Sequence, residues 1–428
     1  MSIDLKLEQQ EDNLLSRWNR VSIGEICNLG GGTTPSKTND DYWGGSIPWA
    51  SPKDFEGVSL DQTEDNLTEY AVSENSINLY NSGDIAMVVR SGVLHHSLPV
   101  AQLSTEMAVN QDVKVLKPDI DRISTDYFLN ILLYEADRIR ASCAKTGTTV
   151  ESIETAFLKG YKLPLPPLPE QQRIADILST VDKQIQQTDE IIQETKELKR
   201  GLVQDLIFFG KSHNGTQTVQ LGPMTTEITE SWDIATVGEV TTKAQYGSSE
   251  SLSTEGKYPV FRMNNIEDGR MVSSPMKYSD LDKEQAEKYR VGKGDILFNR
   301  TNSIDLVGKS GIFDLEGEYI FASYLIRLRT NEKMNPYFLN YYLNSYLGQG
   351  VLYSIATRGA SQANINATNL KRVNVPLPPR EQQDRIVNQI QKVEEKIEQE
   401  QETKRGLQEL KRGLMQDLLT GKVRVNAD

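Results

Sequence analysis

An internal repeat constrains the fold of this 428-residue chain more than any other feature. The segment 199–206 (KRGLVQDL) returns 212 residues later as 411–418 (KRGLMQDL), and PLPPLPEQQRI at 164–174 returns as PLPPREQQDRI at 376–386. Three shorter matches keep nearly the same offset: YFLN at 127 and 337, GDI at 83 and 294, and Trp-x5-Gly-Glu at 18 and 232. This constant spacing predicts two copies of one plan, each a globular part followed by a helix.

The apolar spacing after each proline-rich segment predicts a long heptad helix. Pro169 and Pro379 suit helix starts, since a first-turn proline loses no needed hydrogen bond, and Glu170 and Glu381 follow in the first turn. The first seam comprises Ile174, Leu178, Val181, Ile185, Thr188, Ile192 and Thr195, and continues after a one-residue slip with Leu198, Leu202 and Leu206. The second comprises Ile386, Ile390, Val393, Ile397, polar Glu400, Leu407, Leu410, Leu414 and Leu418.

Each predicted helix ends near a glycine, Gly210 or Gly421, and is about 40 residues or roughly 60 Å long. A single amphipathic helix of this length is marginal alone, so the two copies are expected to pack antiparallel as a coiled coil, with one globular part near each end. The alternative is that each helix packs only on its own globular part.

The globular parts read as mixed α/β, which makes the predicted fold class α+β with an internal pseudo-two-fold repeat. Short β-type runs at 85–89, 113–116, 319–322 and 325–328 alternate with turn residues, and helices are expected at 127–140 and 337–347. The predicted boundaries are 1–165 for the first domain, 166–212 for the first helix, 213–375 for the second domain, and 376–428 for the second helix and tail.

Charge and cysteine content exclude several classes of protein. Only two cysteines occur, no run of 18 apolar residues exists, and the N-terminus is acidic, so a disulfide scaffold, a membrane span and a signal peptide are not expected. A reducing cytoplasm fits this composition. The net charge is −13; residues 1–165 carry 14 basic and 24 acidic side chains, whereas 213–375 carry 17 and 18. The overall balance by itself argues against nucleic-acid binding.

No catalytic or cofactor motif emerges. Phosphate-binding GxxxxGK[ST], dinucleotide-binding GxGxxG and nucleophile GxSxG patterns are missing from the sequence. NPYF at 335 approaches the NPPY-type tetrapeptide of adenine methyltransferases but lacks its second proline, and its repeat partner at 125–128 marks it as a helix start. His95 and His96 form an isolated pair without further ligands. We therefore predict a protein without catalysis, cofactor or metal.

Polar loops carrying basic residues recur at matching places in both copies, such as Arg90 with Arg300. Arg, Lys, Asn, Gln, Ser and Thr side chains are those that read base edges or hold phosphates, although any single loop of this kind is more often a solvated turn. The candidate DNA-binding residues are Lys37, Lys53, Arg90, Lys145, Thr146, Thr148, Arg262, Asn264, Arg300, Asn302, Arg358 and Gln362.

The duplicated Trp-x5-Gly-Glu, the segment GTTPSKTNDDYWGGSIPWASPKD, the Gly-Thr loop and the proline–EQQ–helix unit together resemble the specificity subunit of type I restriction–modification enzymes. The resemblance covers almost the whole chain. It implies two target-recognition domains, each reading one half of a split duplex DNA target, and two conserved helices between them. It implies no catalysis in this chain and, as partners, two methyltransferase subunits and motor–nuclease subunits.

Gln204, Asp205, Gln416 and Asp417 lie off the predicted seam within the repeated helix segments. The resemblance makes them candidates for docking the methyltransferase subunits, and it makes the helices the element that sets half-site spacing. A non-catalytic, two-headed protein–protein scaffold is the alternative function, which the net charge favours and the duplicated basic loops disfavour.

Overall fold

The computed structural model describes residues 18–144, 151–210, 215–303, 306–359 and 362–425. Its internal contacts divide the chain into two compact units, Met1–Asp189 with Glu402–Asp428, and Glu190–Gln401. The division runs through both long helices, so each unit combines one globular part with a portion of each helix. Within the described ranges, no helix is both long enough and apolar enough to cross a membrane.

The α-helices in chain order are α1 (Ile23–Ile26), α2 (Glu69–Glu74), α3 (Thr125–Tyr134), α4 (Ala136–Cys143), α5 (Thr155–Gly160), α6 (Leu168–Phe209), α7 (Lys283–Tyr289), α8 (Pro336–Asn344), α9 (Tyr346–Ile355), α10 (Ala367–Lys371) and α11 (Arg380–Leu419). Short 3₁₀ helices occupy Asp40–Tyr42, Pro52–Asp54, Gly92–His95 and Met263–Asn265. The helices predicted at 127–140 and 337–347 are each divided in two, at Glu135 and Ser345, because these residues leave the helical path and begin α4 and α9.

The strands of the first unit are β1 (Asn19–Ser22), β2 (Cys27–Gly31), β3 (Trp43–Ala50), β4 (Ser59–Leu60), β5 (Asn66–Leu67), β6 (Ile85–Val88), β7 (Val100–Leu103), β8 (Ala108–Val109), β9 (Val113–Pro118) and β10 (Lys162–Leu165). Their main sheet has the order β2-β9-β6-β7-β4, with β5-β3-β8 as a second sheet and β1 paired to β10.

The strands of the second unit are β11 (Thr216–Leu221), β12 (Met224–Thr229), β13 (Asp233–Thr236), β14 (Thr241–Tyr246), β15 (Tyr258–Phe261), β16 (Ile266–Glu267), β17 (Arg270–Met271), β18 (Lys277–Ser279), β19 (Ile296–Asn299), β20 (Thr301–Asn302), β21 (Ser310–Ile312), β22 (Ile320–Phe321), β23 (Leu325–Thr330), β24 (Thr357–Arg358), β25 (Ala363–Asn364) and β26 (Asn374–Leu377). The main sheet, β14-β23-β19-β21-β17-β16, repeats the strand order of the first unit and adds one edge strand. The mixed α/β repeat predicted from the sequence is confirmed.

The repeated Trp-x5-Gly-Glu motif builds the same turn in both units. Glu25 and Glu239 each accept, at 2.7 Å, the backbone N–H of the residue three positions earlier, which closes a capping turn. A Cβ at Gly24 or Gly238 would lie 3.2 or 3.1 Å from the carbonyl oxygen at the end of the adjacent short helix, α5 or α10. Glycine thus suits the close approach of the two backbones, and the glutamate accepts a backbone N–H group that the short turn leaves free.

One buried glutamine joins each long helix to its globular part. Gln171 and Gln383, both fully buried, accept the backbone N–H of the N-cap residue that precedes α3 or α8, at 2.8 and 2.7 Å. Each also donates at 2.8 Å to the carbonyl oxygen of a proline just before its own helix, Pro166 or Pro378. These contacts assign a structural role to the EQQ segments and align the two segments with a one-residue shift.

The long helices begin and end close to the predicted residues. Pro379 immediately precedes α11, whereas Pro169 is the second residue of α6. Gly210 and Gly421 follow the last helical turns with φ of +61° and +71°, a conformation that favours glycine. The first turns also pack into the cores of their own units, where Ile174 and Ile386 are buried, so each helix contacts its globular part as well as the other helix.

The predicted slip in the seam is wrong, because lysines occupy the positions that leucines were expected to fill. Leu198 and Leu410 are 63% and 50% exposed. The heptad continues without interruption through Lys199 and Lys411, whose side chains are only 20% and 18% exposed. The lysine stems cover the seam, and each ammonium reaches an acidic residue of the facing helix.

Ion pairs show the antiparallel register of the two helices. In the first unit, Lys411 contacts Asp182 and Lys404 contacts Asp189, each with an N–O distance of 2.6 Å. A step of seven residues toward the C-terminus of α6 thus corresponds to a step of seven residues toward the N-terminus of α11. In the second unit, Lys199 of α6 contacts Glu394 of α11 at 2.6 Å. The antiparallel coiled coil predicted from the heptads is confirmed.

Candidate nucleic-acid interface

Four of the predicted basic loops of the first unit converge on one open concavity of about 600 Å³. Its lining includes Thr34 and Lys37, Ser51 and Lys53, Ser91, and Asn110 with Gln111. Arg90 joins this surface through its ion pair with Asp112, which also lines the concavity. We call residues 33–37, 51–53, 90–91 and 110–112 the first loop cluster. The predicted Lys145, Thr146 and Thr148 lie outside the described residues.

Close backbone approach builds the first loop cluster. A Cβ at Gly32 would lie 1.9 Å from the carbonyl oxygen of Val109, so only glycine allows the following loop to enter. The N–H of Thr33 donates to this carbonyl at 3.1 Å, and the N–H of Asn110 donates to the carbonyl of Ala50 at 2.8 Å. Two indole N–H groups also bind this loop. That of Trp49 donates to the carbonyl oxygen of Thr33 at 3.0 Å, and that of Trp43 donates to the carbonyl oxygen of Ser36 at 3.1 Å.

The second unit builds the same surface with other side chains. A Cβ at Gly247 would lie 2.3 Å from the carbonyl oxygen of Phe321, and the N–H of Ser248 donates to this carbonyl at 2.8 Å. The N–H of Ala322 donates to the carbonyl of Phe261 at 2.9 Å, as Asn110 does to Ala50. We call residues 246–249, 262–265, 299–302, 322–324 and 362–364 the second loop cluster.

Short 3₁₀ helices follow β3 and β15 in both clusters and present unlike residues. Asp54 accepts the N–H of Ser51 at 2.8 Å, and Asn265 accepts the N–H of Arg262 at 3.0 Å, which makes the two turns equivalent. Lys53 of the first turn then corresponds to Asn264 of the second, an exposed amide. The segments 33–54 and 248–265 look unrelated in sequence and differ in length, yet both end in a strand followed by the same 3₁₀ turn.

Arg90 and Arg300 occupy equivalent backbone positions but have unlike partners. The N–H of Arg90 donates to the carbonyl of Asp112 at 3.2 Å, and that of Arg300 donates to the carbonyl of Tyr324 at 3.1 Å. The Arg90 guanidinium pairs with the Asp112 carboxylate, with Nε and Oδ1 2.5 Å apart. The Arg300 guanidinium instead lies 4.8 Å from the ring centroid of Tyr246, a cation–π contact.

The cations of the first loop cluster are held mainly by carboxylates. Lys53 contacts Glu64 at 2.7 Å and Asp65 at 3.0 Å, and hydrogen bonds to these carboxylates raise the pKa of Lys53 above its ordinary value. Lys37 is exposed, and within the described ranges no hydrogen bond or ion pair is found for it. The Asp112 carboxylate also faces the amides of Asn110 and Gln111, at 3.5 and 3.3 Å.

The cations of the second loop cluster contact neutral groups. Arg262 donates to a backbone carbonyl at 3.3 Å, and Arg300 donates to the Asn364 side chain at 3.4 Å. The Nε atoms of both arginines are buried without a hydrogen-bond acceptor among the described residues. Each guanidinium carries five N–H donors, more than these contacts use, and an external acceptor such as phosphate or a base edge can bind those that reach solvent.

The remaining predicted residues of the second unit lie beside Arg300. Asn302 is half-buried on β20, and its amide oxygen accepts the N–H of Ser303 at 2.8 Å. Strands β20 and β24 both pair with β25, which brings the backbones of Asn302 and Arg358 to the same residue, Ala363. Gln362 is exposed beside them, and its carbonyl accepts the N–H of Gly359 at 2.7 Å.

The four predicted docking residues on the helices differ in exposure. Gln416 is exposed, whereas the Oε1 atom of its counterpart Gln204 is buried and finds no donor in the described part of the chain. Asp417 contacts Lys422 at 2.7 Å, beyond the end of α11, and Asp205 is half-buried. Tyr246 lies in a predicted polar loop, whereas sequence reasoning missed Asp112, Tyr324 and Asn364, since no sequence pattern pairs them with Arg90 or Arg300.

A duplicated scaffold that presents two polar loop clusters with shared backbone and divergent side chains defines a bipartite binding protein. Over residues 16–197 and 229–409 the chain matches the family described as "Type I restriction modification DNA specificity domain", so it belongs to this family. The family is that of the non-catalytic specificity subunits, which bind DNA and the partner modification and restriction subunits of type I restriction–modification complexes. The resemblance stated from the motifs is confirmed.

Known proteins of this family match the chain over its whole length or over part of it. The MjaIX specificity subunit of Methanocaldococcus jannaschii is 22% identical over 95% of this chain and 94% of its own length. The EcoR124I/EcoR124II specificity subunit of Escherichia coli is 40% identical over 38% of this chain and 40% of its own length. Among solved structures, the S subunit from M. genitalium superposes with a TM-score of 0.54 at 15% identity, over 94% of this chain and 96% of that one.

Proposed function

We propose that each loop cluster reads one half of a bipartite duplex DNA target. The observation that carries the proposal is the equivalence of the two clusters: one backbone arrangement, built by Gly32 and Gly247, bears side chains that differ at the exposed positions. Shared backbone presents the loops to DNA in the same way, and unlike side chains require unlike base sequences. The alternative of a two-headed protein scaffold does not explain why an arginine recurs at the same backbone position of both clusters, as Arg90 and Arg300.

Sequencing of methylated adenines in cells that carry this gene with its methyltransferase partner tests the proposal. We expect a split, asymmetric motif, and we expect exchange of residues 33–112 for those of a relative to change one half only. A single uninterrupted palindrome would contradict bipartite reading.

We also propose that the two long helices dock two methyltransferase subunits, one on each copy of the segment ELKRGL-x-QDL at 197–206 and 409–418. Leu198 and Leu410 are exposed at equivalent positions, and a Cβ at Gly201 or Gly413 would meet no atom within 4 Å. A glycine inside an exposed helix costs about 1 kcal/mol relative to alanine, so a role in close approach of a partner explains its presence in both copies. Gln204, Asp205, Gln416 and Asp417 lie within the same segments.

Paired substitutions test the docking surface. Leu198→Asp together with Leu410→Asp is expected to abolish binding of both methyltransferase subunits, and each single variant to abolish one, measured by mass photometry of the reconstituted complex. Charge reversal at Asp205 and Asp417 is expected to act in the same direction more weakly. Ile191→Asp, at an exposed site outside the repeat, serves as the control. Full stoichiometry in the double leucine variant would contradict the proposal.

The same helices are proposed to set the gap between half-sites. Two domains reading the same face of B-DNA are spaced by about 10 base pairs, one turn. If each reads about 3–4 base pairs, by analogy with the family, the unread spacer is about 6–7 base pairs. Recruitment of motor–nuclease subunits and a cytoplasmic location complete the proposal; two free, buried cysteines fit a reducing compartment.

A further inference from the structure

The side chain that faces the equivalent arginines differs in character between the two loop clusters. At the first, the residue is Asp112, whose side chain is 20% exposed and which pairs with Arg90. At the second, the residue is Tyr324, 49% exposed, and no carboxylate partner is found for Arg300 in the described ranges. Among the described residues, a carboxylate therefore neutralises Arg90 but not Arg300.

A second cation of the first loop cluster is neutralised in the same way. Lys53 contacts two carboxylates, Glu64 and Asp65, whereas the equivalent residue of the second cluster, Asn264, carries no charge to neutralise. Arg90 and Lys53 are 54% and 43% exposed, so both remain within reach of an approaching phosphate. A phosphate that binds either cation competes with a carboxylate that is already bound to it.

On the basis of the proposed DNA-recognition function, we propose that Asp112, Glu64 and Asp65 are specificity-determining positioning residues of the first loop cluster. They hold Arg90 and Lys53 in internal ion pairs, so unspecific phosphate contacts gain little there. Only a half-site whose bases also match the cluster supplies enough additional contacts to exchange carboxylate for phosphate. The second loop cluster, with Arg262 and Arg300 facing neutral groups, reads its own half-site and in addition supplies most of the unspecific electrostatic attraction.

The exchange has a signature in salt dependence. A cation that binds phosphate releases a condensed counterion, and affinity falls with salt by a log–log slope of about 0.9 for each phosphate neutralised. When Arg90 leaves Asp112, the freed carboxylate takes up a cation from solution, which offsets part of that release. Replacing the carboxylate by an amide removes the offset, so the slope has to steepen by up to about 0.9.

The test measures binding of the full chain, reconstituted with its methyltransferase subunits, to two duplexes over a range of salt. One duplex carries the methylated motif, and the other carries the same bases scrambled. For Asp112→Asn we expect scrambled-duplex affinity to rise about two- to fivefold, the range of one exposed ion pair. We expect retained binding to the motif and a steeper salt slope. Glu64→Gln with Asp65→Asn is expected to act likewise.

Two further variants control for charge and place. Glu74→Gln removes the same charge at an exposed site outside the loop cluster and is expected to change neither affinity nor slope. Tyr324→Asp, which places a carboxylate beside Arg300, is expected to lower scrambled-duplex affinity about two- to fivefold, with Tyr324→Phe as its control.

The outcomes separate this proposal from the proposed function. Unchanged scrambled-duplex affinity and slope in Asp112→Asn would overturn the proposal, as would loss of motif binding alone, because Asp112 would then contact a base directly. A wild-type complex that fails to distinguish the two duplexes would instead contradict the proposed function.

Discussion

The two units connect their globular parts to the long helices with unequal strength. In the second unit, Arg270 of β17 contacts Glu394 of α11 at 2.9 Å, and the same carboxylate accepts from Lys199 of α6 and from the Tyr341 hydroxyl, at 2.6 and 2.9 Å. In the first unit, the counterpart of Arg270 is Ser59, which bonds only to nearby polar side chains of its own domain.

The difference shows that one network of charged side chains can attach one copy of a duplicated domain to the helices more strongly than the other copy. The carboxylate of Glu394 is 7% exposed, whereas that of Asp182, its counterpart in the repeat, is 42% exposed and pairs with Lys411 alone. Burial strengthens the interactions of Glu394 but makes the loss of any partner more costly. Residues of α6, β17 and α8 thus meet at Glu394 of α11 in the second unit, whereas Asp182 joins only the two long helices among the described residues.

The largest effect is expected for Glu394→Ala. The change leaves Lys199 and Arg270 without their shared partner, which costs about 3–5 kcal/mol when a buried pair is broken. Because Arg270 is 43% exposed, we expect about 2–4 kcal/mol in the free energy of unfolding of the second unit, measured by urea denaturation. The matched Asp182→Ala variant is expected to cost the first unit less than about 1 kcal/mol. Equal losses would contradict the asymmetry.

The same carboxylate predicts a pH dependence. Burial by itself raises the pKa of Glu394, but Lys199 and Arg270 outweigh it and hold the pKa below the ordinary value. In the unfolded chain the pKa of a glutamate is about 4.3. The stabilisation that ionised Glu394 gives the folded unit is therefore present above this pH, and it is lost as the pH falls toward the lower pKa of the folded state. In Glu394→Gln we expect this acid-dependent component of second-unit unfolding to disappear.

An intermediate effect is expected where the ends of the long helices meet the repeated tryptophans. In the first unit, Arg424 makes two hydrogen bonds, at 2.6 and 2.7 Å, to buried Glu170 and lies 5.3 Å from the Trp18 ring. In the second, neutral Gln382 replaces the glutamate and accepts the Trp232 indole N–H at 2.9 Å. The two units therefore use different contacts at equivalent places. The contact of the first unit depends on Arg424, which is among the last described residues of the chain.

Arg424→Ala is expected to destabilise the first unit by about 1–3 kcal/mol, because it leaves the Glu170 carboxylate buried without its partner. Adding Glu170→Gln places at this position the neutral glutamine that the second unit has, and the double variant is expected to recover most of the lost stability. Tryptophan fluorescence during denaturation measures both. Lys422→Ala, which breaks an exposed pair with Asp417, is the control and is expected to have little effect. A double variant no better than the single one would contradict this account.

Sequence periodicity predicted the large elements because they depend on repeated apolar positions. It failed at Leu198 and Leu410, since a pattern of apolar letters cannot show that a lysine stem covers a seam while its ammonium finds an acid on another helix. The residues Lys199 and Lys411 complete the heptad only when Glu394 and Asp182 are known to face them.

The loop clusters were predictable as sets of residues but not as surfaces. Arg90 and Arg300 were proposed as a pair because their offset matches the repeat, and their role in DNA binding stays a prediction. The equivalence of Ser51 and Arg262 was hidden, since it depends on backbone hydrogen bonds that any side chain allows. The pairing of Arg90 with Asp112 was equally hidden. The two residues are 22 positions apart, and they lie after the end of β6 and just before the start of β9.

A smaller effect should separate the equivalent arginines. Arg300→Ala is expected to weaken binding of the reconstituted complex to its target duplex by about 1–3 kcal/mol, the range for a base-reading arginine. Arg90→Ala is expected to cost about 0.2–1 kcal/mol less, because Arg90 first has to leave Asp112. Isothermal titration at fixed salt measures both, with circular dichroism to verify folding. A larger loss of binding free energy for Arg90→Ala than for Arg300→Ala would contradict the conclusion that Asp112 weakens the contribution of Arg90.

The smallest energetic effect, with the clearest readout, is expected from lengthening both helices by one heptad. Asp182–Lys411 and Asp189–Lys404 define the register, and in that register a point after Gln187 on α6 faces a point after Arg405 on α11. Seven residues inserted at each point keep every seam position, so the coiled coil is retained. They lengthen it by about 10 Å, at 1.5 Å per residue, or about three base-pair steps of 3.4 Å.

If the helices set the gap, cells carrying this variant with the methyltransferase will methylate the same two half-sites separated by about three additional base pairs. Four-residue insertions at the same points are the control: they exceed one 3.6-residue turn and shift the seam, so lower stability and weaker methylation at any spacing are expected. Methylation by the heptad variant at the original spacing alone would show that the coiled coil is not the ruler. The two loop clusters would then be positioned by the bound methyltransferase subunits.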